Sequence, residues 1–182
     1  MKYQFDIKLS EQDYLDFNIF HMLRSPYGKQ QLKNIRLMFV FVLVLLCVIF
    51  VISEGFSKDT AFSVAVMVAS FLVFQIFLRQ FLKWSVKLTV KGQKGTGKMG
   101  YSPESILEFY DDYLIETMPG KKIEQNYSEI ENVCLVDMKI IYIYVTNVSA
   151  YMLPLSCFKS KVELDEFISF LQTKGIKVDR YC

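Results

Sequence analysis

Two uncharged apolar runs, residues 37–53 and 60–78, stand back to back across the connector Glu54-Gly55-Phe56-Ser57-Lys58-Asp59. At 1.5 Å rise per residue, helices of these lengths reach roughly 25 to 29 Å, close to the thickness of a bilayer's hydrocarbon core. Each run is long enough to span, and together they read as a two-helix transmembrane hairpin. Everything else in the chain has to fold around that constraint.

Charge placement orients the hairpin. Arg24, Lys29, Lys33 and Arg36 precede the first run with no acid among them. Arg79, Lys83, Lys87, Lys91, Lys94 and Lys98 follow the second, again with none. The connector holds only Lys58, against Glu54 and Asp59. Cations near span ends stay on the cytoplasmic side, so both termini are expected in the cytoplasm and the connector outside. The chain opens Met1-Lys2-Tyr3-Gln4-Phe5-Asp6 and turns apolar only after Arg36, which is not the pattern of a cleaved secretory leader. The net charge of +2 says little beside this distribution. An apolar fraction of 52% reflects the two spans and misdescribes the flanks.

The 182 residues leave room for one modest domain beside the hairpin. Of the four cysteines, Cys47 falls in the first span, while Cys134, Cys157 and Cys182 fall on the cytoplasmic side with no CxxC pair. Disulfides are not expected there. Cys182 stands last rather than fourth from the end, so no prenylation signal is present.

Residues 3–9 alternate as a short strand does. Ser10 and Asp13 stand at capping-box spacing ahead of an amphipathic helix, which Ser25-Pro26-Tyr27-Gly28 breaks. A second helix is expected from near Lys29 into the membrane. In the second span Ala61, Ala65 and Ala69 recur every four residues, a small-residue face that lets another helix approach, with Gln75 near it. Gln75 is the only strongly polar side chain in either span, and a hydrogen bond to the first helix or to a second copy would satisfy it. Trp84 suits the headgroup level.

Beyond it the pattern changes. Segments rich in Ile, Tyr, Val and Phe recur at close intervals: 105–110, 113–118, 121–127, 130–136, 139–146 and 150–155. Asp111-Asp112, Pro119-Gly120, Asp137-Met138 and Asn147 punctuate them, as hairpin turns do. The strand 139–146 presents apolar or aromatic residues on both faces and is the candidate centre of a sheet. Ser160 and Glu163 form a second capping box, followed by Leu164, Phe167, Ile168 and Leu171 at helical spacing and by Gly175 as terminator. Successive antiparallel strands closed by one terminal helix fit a pleckstrin-homology-like roll.

No constellation advertises catalysis. Gly92-Gln93-Lys94-Gly95-Thr96-Gly97-Lys98 matches GxxxxGK after the strand-like stretch 86–90, but Met99 replaces the magnesium-binding hydroxyl, and Gly100 and Pro103 forbid the helix a phosphate loop needs. Val133-Cys134-Leu135-Val136-Asp137 mimics the second nucleotide motif without a crossover helix between the two. His21 is the only histidine and has no partners at zinc or triad spacing; Asp111-Asp112 is turn chemistry. Lys83, Lys87, Lys91, Lys94 and Lys98 are candidate contacts for anionic lipid headgroups, at about 1 kcal/mol per charge near the surface. They adjoin the spans and lack interleaved aromatics, which argues against nucleic acid.

Taken in order, several segments resemble the YcxB-like family of small bacterial membrane proteins: Ser10-Glu11-Gln12-Asp13-Tyr14-Leu15-Asp16-Phe17 with His21, the twin spans, Tyr127-Ser128-Glu129-Ile130, Ile141-Tyr142-Ile143-Tyr144, and Met152-Leu153-Pro154 with Phe158. The resemblance covers nearly the whole chain. It implies a cytoplasmic PH-like domain of about 60 to 80 residues and no established activity. Relatives carry a basic residue between that proline and the aromatic. This chain has Leu155-Ser156-Cys157 and reaches its cation at Lys159, which puts an anionic ligand at that position in question.

The expected fold is therefore an α+β membrane protein, a transmembrane hairpin joined to an antiparallel β-roll closed by a C-terminal helix. Its parts are an N-terminal strand and helix (1–36), two spans (37–53, 60–78) about the connector (54–59), a basic juxtamembrane segment (79–102), the PH-like domain (103–175) and a tail (176–182). The expected function is a non-enzymatic, membrane-anchored interaction or regulatory module at the inner face of the bacterial cytoplasmic membrane. Neither cofactor, metal nor catalytic residue is expected. Its partners are the bilayer, anionic headgroups and an unidentified protein or a second copy. The alternative is a subunit of an oligomeric transporter or channel, packed through Ala61, Ala65 and Ala69 with Gln75 turned inward.

Overall fold

The computed structural model describes residues 1–95 and 100–181, with side chains at all of these but 94 and 95. Its contacts divide the chain into two compact units. One combines residues 1–17 with 99–182, and the other is residues 18–98. The second is thus an insertion within the first.

The inserted unit is helical, and it begins partway along the chain's first helix. Helix α1 (Glu11–Leu23) starts at the expected capping box: the Asp13 amide donates to Ser10 Oγ at 3.2 Å, and the Ser10 amide to Asp13 Oδ2 at 2.8 Å. Helix α2 (Pro26–Glu54) begins three residues before the expected Lys29. Pro26 occupies the first turn, where its missing N–H costs nothing, and Ser25 caps the helix by accepting from the Gly28 amide at 2.9 Å. Gly28 is required there, because a Cβ would stand 2.1 Å from the His21 carbonyl oxygen. Gly55, at φ +73, turns the chain, and Ser57 caps the next helix through the Thr60 amide.

That helix, α3 (Lys58–Gly95), has 38 residues and is about 57 Å long, nearly twice a bilayer's apolar thickness. It absorbs most of the stretch expected as a juxtamembrane segment, including residues 86–90, whose β-branched content reads as a strand. Val86 and Val90 are the buried members of that stretch, four apart, and with Leu78 and Leu82 they continue one helical stripe. The 3.6-residue period outweighs local β propensity.

In the first unit, β1 (Tyr3–Lys8) pairs antiparallel with β2 (Glu104–Phe109), although about a hundred residues separate them. The N-terminal strand expected to stand outside the C-terminal domain is thus an edge of its sheet. β3 (Tyr113–Met118) and β4 (Lys121–Asn126) complete the order β1-β2-β3-β4. The second sheet has the order β7-β6-β5-β8, from β5 (Asn132–Val136), β6 (Ile140–Thr146), β7 (Ser149–Pro154) and β8 (Val178–Tyr181).

The turns follow their residues. Gly120 has φ +74, and Asp137 and Met138 both sit at positive φ in the three-residue connection between Val136 and Ile140, where the Lys139 amide donates to the Val136 carbonyl. β6 is internal, and Ile140 to Tyr144 are buried on both faces, as its apolar composition requires. Phe17 of α1 covers the outer face, its ring 5.1 Å from that of Tyr142. Of residues 176–182, expected as a tail, Val178–Tyr181 form β8, parallel to β5, with the Val133 amide donating to the Lys177 carbonyl at 2.9 Å. Ile176, buried just after the Gly175 turn, pulls the chain back onto the core.

Helix α4 (Lys161–Thr173) closes the unit. Ser160 caps it through the Glu163 amide, and Gly175 follows its end at φ +77. Phe167 is the hub, with ring centroids of Tyr3, Phe5, Phe109 and Phe158 all within 5.4 Å. These rings join Leu107, Leu135, Ile141, Ile143 and Leu153 in one core between the sheets.

Candidate functional site

The inserted unit presents its apolar side chains outward. Leu37, Phe41, Ile52, Phe62 and Ile76 are all exposed, while a half-buried stripe on α3 runs Val64, Met67, Phe71, Gln75 at intervals of three and four. Phe74 meets Phe39 of α2 with rings 5.4 Å apart. Both helices are long and apolar enough to cross a membrane. Ala61, Ala65 and Ala69 lie on the exposed side of α3, so α2 does not use the small-residue face. Gln75 does lie on the half-buried stripe, where its Nε2 is shielded and has no hydrogen-bond partner.

The Phe39–Phe74 pairing fixes the level of the two antiparallel helices, which sets Lys33 and Arg36 beside Arg79 and Lys83 as a collar of exposed cations. Lys87 and Lys91 are exposed further along α3, Lys91 about 18 Å beyond Arg79. The lysines at 83, 87 and 91 therefore form a ladder on a rigid helix and not one patch. The side chain of Lys94, and Lys98 altogether, lie outside the described residues.

The rejected motifs resolve simply. Gly92 to Gly95 end α3, so no strand precedes the glycine-rich stretch. His21 stacks on Tyr27 at 5.7 Å, and burial holds its imidazole below the ordinary histidine value. Asp111 pairs with Lys2 at 2.8 Å at the β2–β3 turn. Cys134 is fully buried and its thiol is pushed up to about 11, chiefly by that burial, which makes it an inert thiol rather than a nucleophile. Among the described residues no three His, Cys, Asp or Glu side chains converge as a metal set.

A site that sequence reasoning missed opens within the first unit. In the β1–β4 sheet the register places Phe5, Leu107, Glu116 and Ile123 in one row on the inner face, and Ile7, Ser105, Met118 and Lys121 in the next. The β1 and β2 members are buried, whereas Glu116, Met118, Ile123 and Gln125 are only half-covered and border a cleft of about 780 Å³. Across it stand Tyr151 and Met152 of β7. The α4 rings fill the other end of the same sheet, at Tyr3 and Phe109.

Among the described residues, Glu116 is the only acid bordering the cleft. Partial burial raises its carboxyl above the ordinary glutamate value, against smaller opposing effects of the Ser105 hydroxyl and the Lys121 ammonium. Burial, reinforced by Glu116 and Glu129, pushes the Tyr151 phenol up to about 12, so it stays a neutral donor. The signal available beforehand was Glu116 itself, an acid breaking the Leu114–Met118 inward alternation of β3. Its meaning depended on a strand pairing invisible to local pattern.

The chain matches no family model, no curated protein and no solved structure in these comparisons.

Proposed function

We propose that this protein is a non-enzymatic interaction or regulatory module of the bacterial cytoplasmic membrane, held there by its hairpin with both termini inside. The carrying observation is that the hairpin's apolar side chains face outward along a membrane-length stretch of each of two helices, an arrangement whose natural solvent is lipid. The cation collar at the open end of the hairpin, against the single Lys58 at its turn, supports the inward orientation. Arg36, Arg79, Lys33 and Lys83 are the cations best placed for anionic headgroups, since screening confines such attraction to about 8 Å.

The first unit is the working part of this module. Its four-stranded sheet, its β5–β7 meander and its terminal helix support a pleckstrin-homology-like roll, into which the hairpin is inserted after β1 and α1. The resemblance to the YcxB-like family supports the same assignment. An oligomeric transporter or channel is the second reading, favoured by the exposed Ala61, Ala65 and Ala69 face, which leaves a small-residue surface for another copy.

Labelling with a membrane-impermeant maleimide tests the anchor. Ser57→Cys should react in intact cells and Val148→Cys only after lysis. Labelling of Val148→Cys in intact cells would reverse the topology, and release of the protein by alkaline carbonate would end the membrane reading. Crosslinks between Ala65→Cys copies forming a closed ring would move the conclusion to the transporter.

A further inference from the structure

We propose that the cleft beneath β3 and β4 is a binding site for a small organic cation, an ammonium group on a compact apolar body, received by the Glu116 carboxylate. The inference rests on the roll being the binding part of the module and goes on to name what it binds.

The first argument is position. Register sets Glu116 on the core-facing row between Leu107 and Ile123, where alternation calls for an apolar side chain. An acid there gives up hydration without gaining the contacts an apolar residue would make. Rule-breaking residues of this kind are expected at functional sites. Within the chain it meets a hydrogen bond from the Ser105 hydroxyl and the weaker electrostatic effect of Lys121, neither of which outweighs the burial. Among the described residues no ion pair joins Glu116 to Lys121, which is exposed at the β3–β4 turn.

The second argument is the space. A cleft of about 780 Å³ falls within the range of small-molecule sites, which run from about 300 to 1,000 Å³ and combine mostly apolar walls with few polar groups. Met118, Ile123 and Met152 supply apolar wall beside the polar Ser105, Gln125 and Thr146, and Tyr151 supplies an aromatic surface that suits a cation. One carboxylate receiving one ammonium is a charge-assisted contact, stronger than a hydrogen bond between neutral groups. A polyphosphate would meet the opposite arrangement, with one rim lysine and an acid inside.

The test is titration of the full chain in phosphatidylcholine nanodiscs, labelled at its methionine methyls, with 2-phenylethylamine as probe. 3-Phenylpropionate and 2-phenylethanol serve as anionic and neutral controls. The expected result is a saturable shift of the Met118 methyl by the amine alone, with Met138 on the β5–β6 turn unmoved. Glu116→Gln should weaken the amine by about tenfold or more. Ile123→Trp, which fills the cleft and leaves Glu116 in place, should abolish the shift and guards against a fold defect in the first variant. Equal shifts by all three probes, preference for the propionate, no shift at all, or full binding by folded Glu116→Gln would each overturn the proposal. The labelling experiment on Ser57→Cys and Val148→Cys is read separately, so loss of the cation site leaves the anchor reading standing, and the reverse.

Discussion

Phe41 of the hairpin is 69% exposed although it lies in an unbroken apolar run, and Phe109 of the first unit is fully buried although β2 alternates apolar with polar residues. The difference is general. In the hairpin the large apolar side chains radiate away from the helix pair, whereas in the first unit they converge on Phe167. Burying apolar surface stabilises a fold only relative to water. The two regions therefore teach that hydrophobicity alone does not specify an interior; the strand's period of two and the solvent around each part decide which way it faces.

Deleting the hub should show the contrast most strongly. Phe167→Ala is expected to cost the first unit about 3–5 kcal/mol, while Phe41→Ala, on the outward face of α2, leaves that unit's stability unchanged. Denaturant unfolding followed by the tyrosine near-ultraviolet signal reads both, and comparable losses would erase the distinction. Within the hairpin, Gly28→Ala forces a methyl onto the His21 carbonyl and should cost about 1–3 kcal/mol, the usual range for overpacking. Thermal loss of the helical signal in detergent measures it; a neutral result would mean the α1–α2 junction relaxes freely.

The α4 cap gives a smaller effect. Ser160→Ala removes the acceptor for the Glu163 amide and should destabilise by about 1 kcal/mol. An effect of similar size and opposite sign is expected at Met138→Gly, because a residue with a Cβ at φ +50 carries about 1 kcal/mol of strain that glycine relieves. Equilibrium unfolding resolves both changes.

The smallest effect is electrostatic and sharpens the comparison inside the first unit, between the end of its first sheet filled by α4 and the end open to the cleft. Burial raises the Glu116 carboxyl in the folded state, so the folded form binds its proton more tightly than the unfolded one. That contribution is fully present below the ordinary glutamate value and is lost as pH rises through the raised one. Glu116→Gln should flatten the fall in stability across the mildly acidic range, as seen in melting temperatures. A profile identical to that of the unmutated chain would mean the carboxyl is fully hydrated.

Much of this fold is legible locally. Ser10-Asp13 and Ser160-Glu163 are reciprocal or single-sided caps readable from spacing, and the Pro119-Gly120 and Asp137-Met138 turns lie where their residues indicate. Local pattern fails where a partner is distant. Residues 86–90 have strand-like composition, but Val86 and Val90 extend a helical stripe begun at Val64. Val178 to Tyr181 have too little pattern to declare a strand, and β5 makes them one. Likewise nothing near Tyr3 announces Phe109 as its neighbour.

By itself the sequence determined the two apolar helices, the cations about their open end and the hairpin series that follows, because each depends on residues a few positions apart. Tertiary structure alone decided that β1 belongs to the sheet of β2, that Ala61, Ala65 and Ala69 face outward, and that Glu116 borders a cleft. Those outcomes depend on pairings across a hundred residues of chain, where register assigns a side chain its face and only the assembled walls create a space to face into.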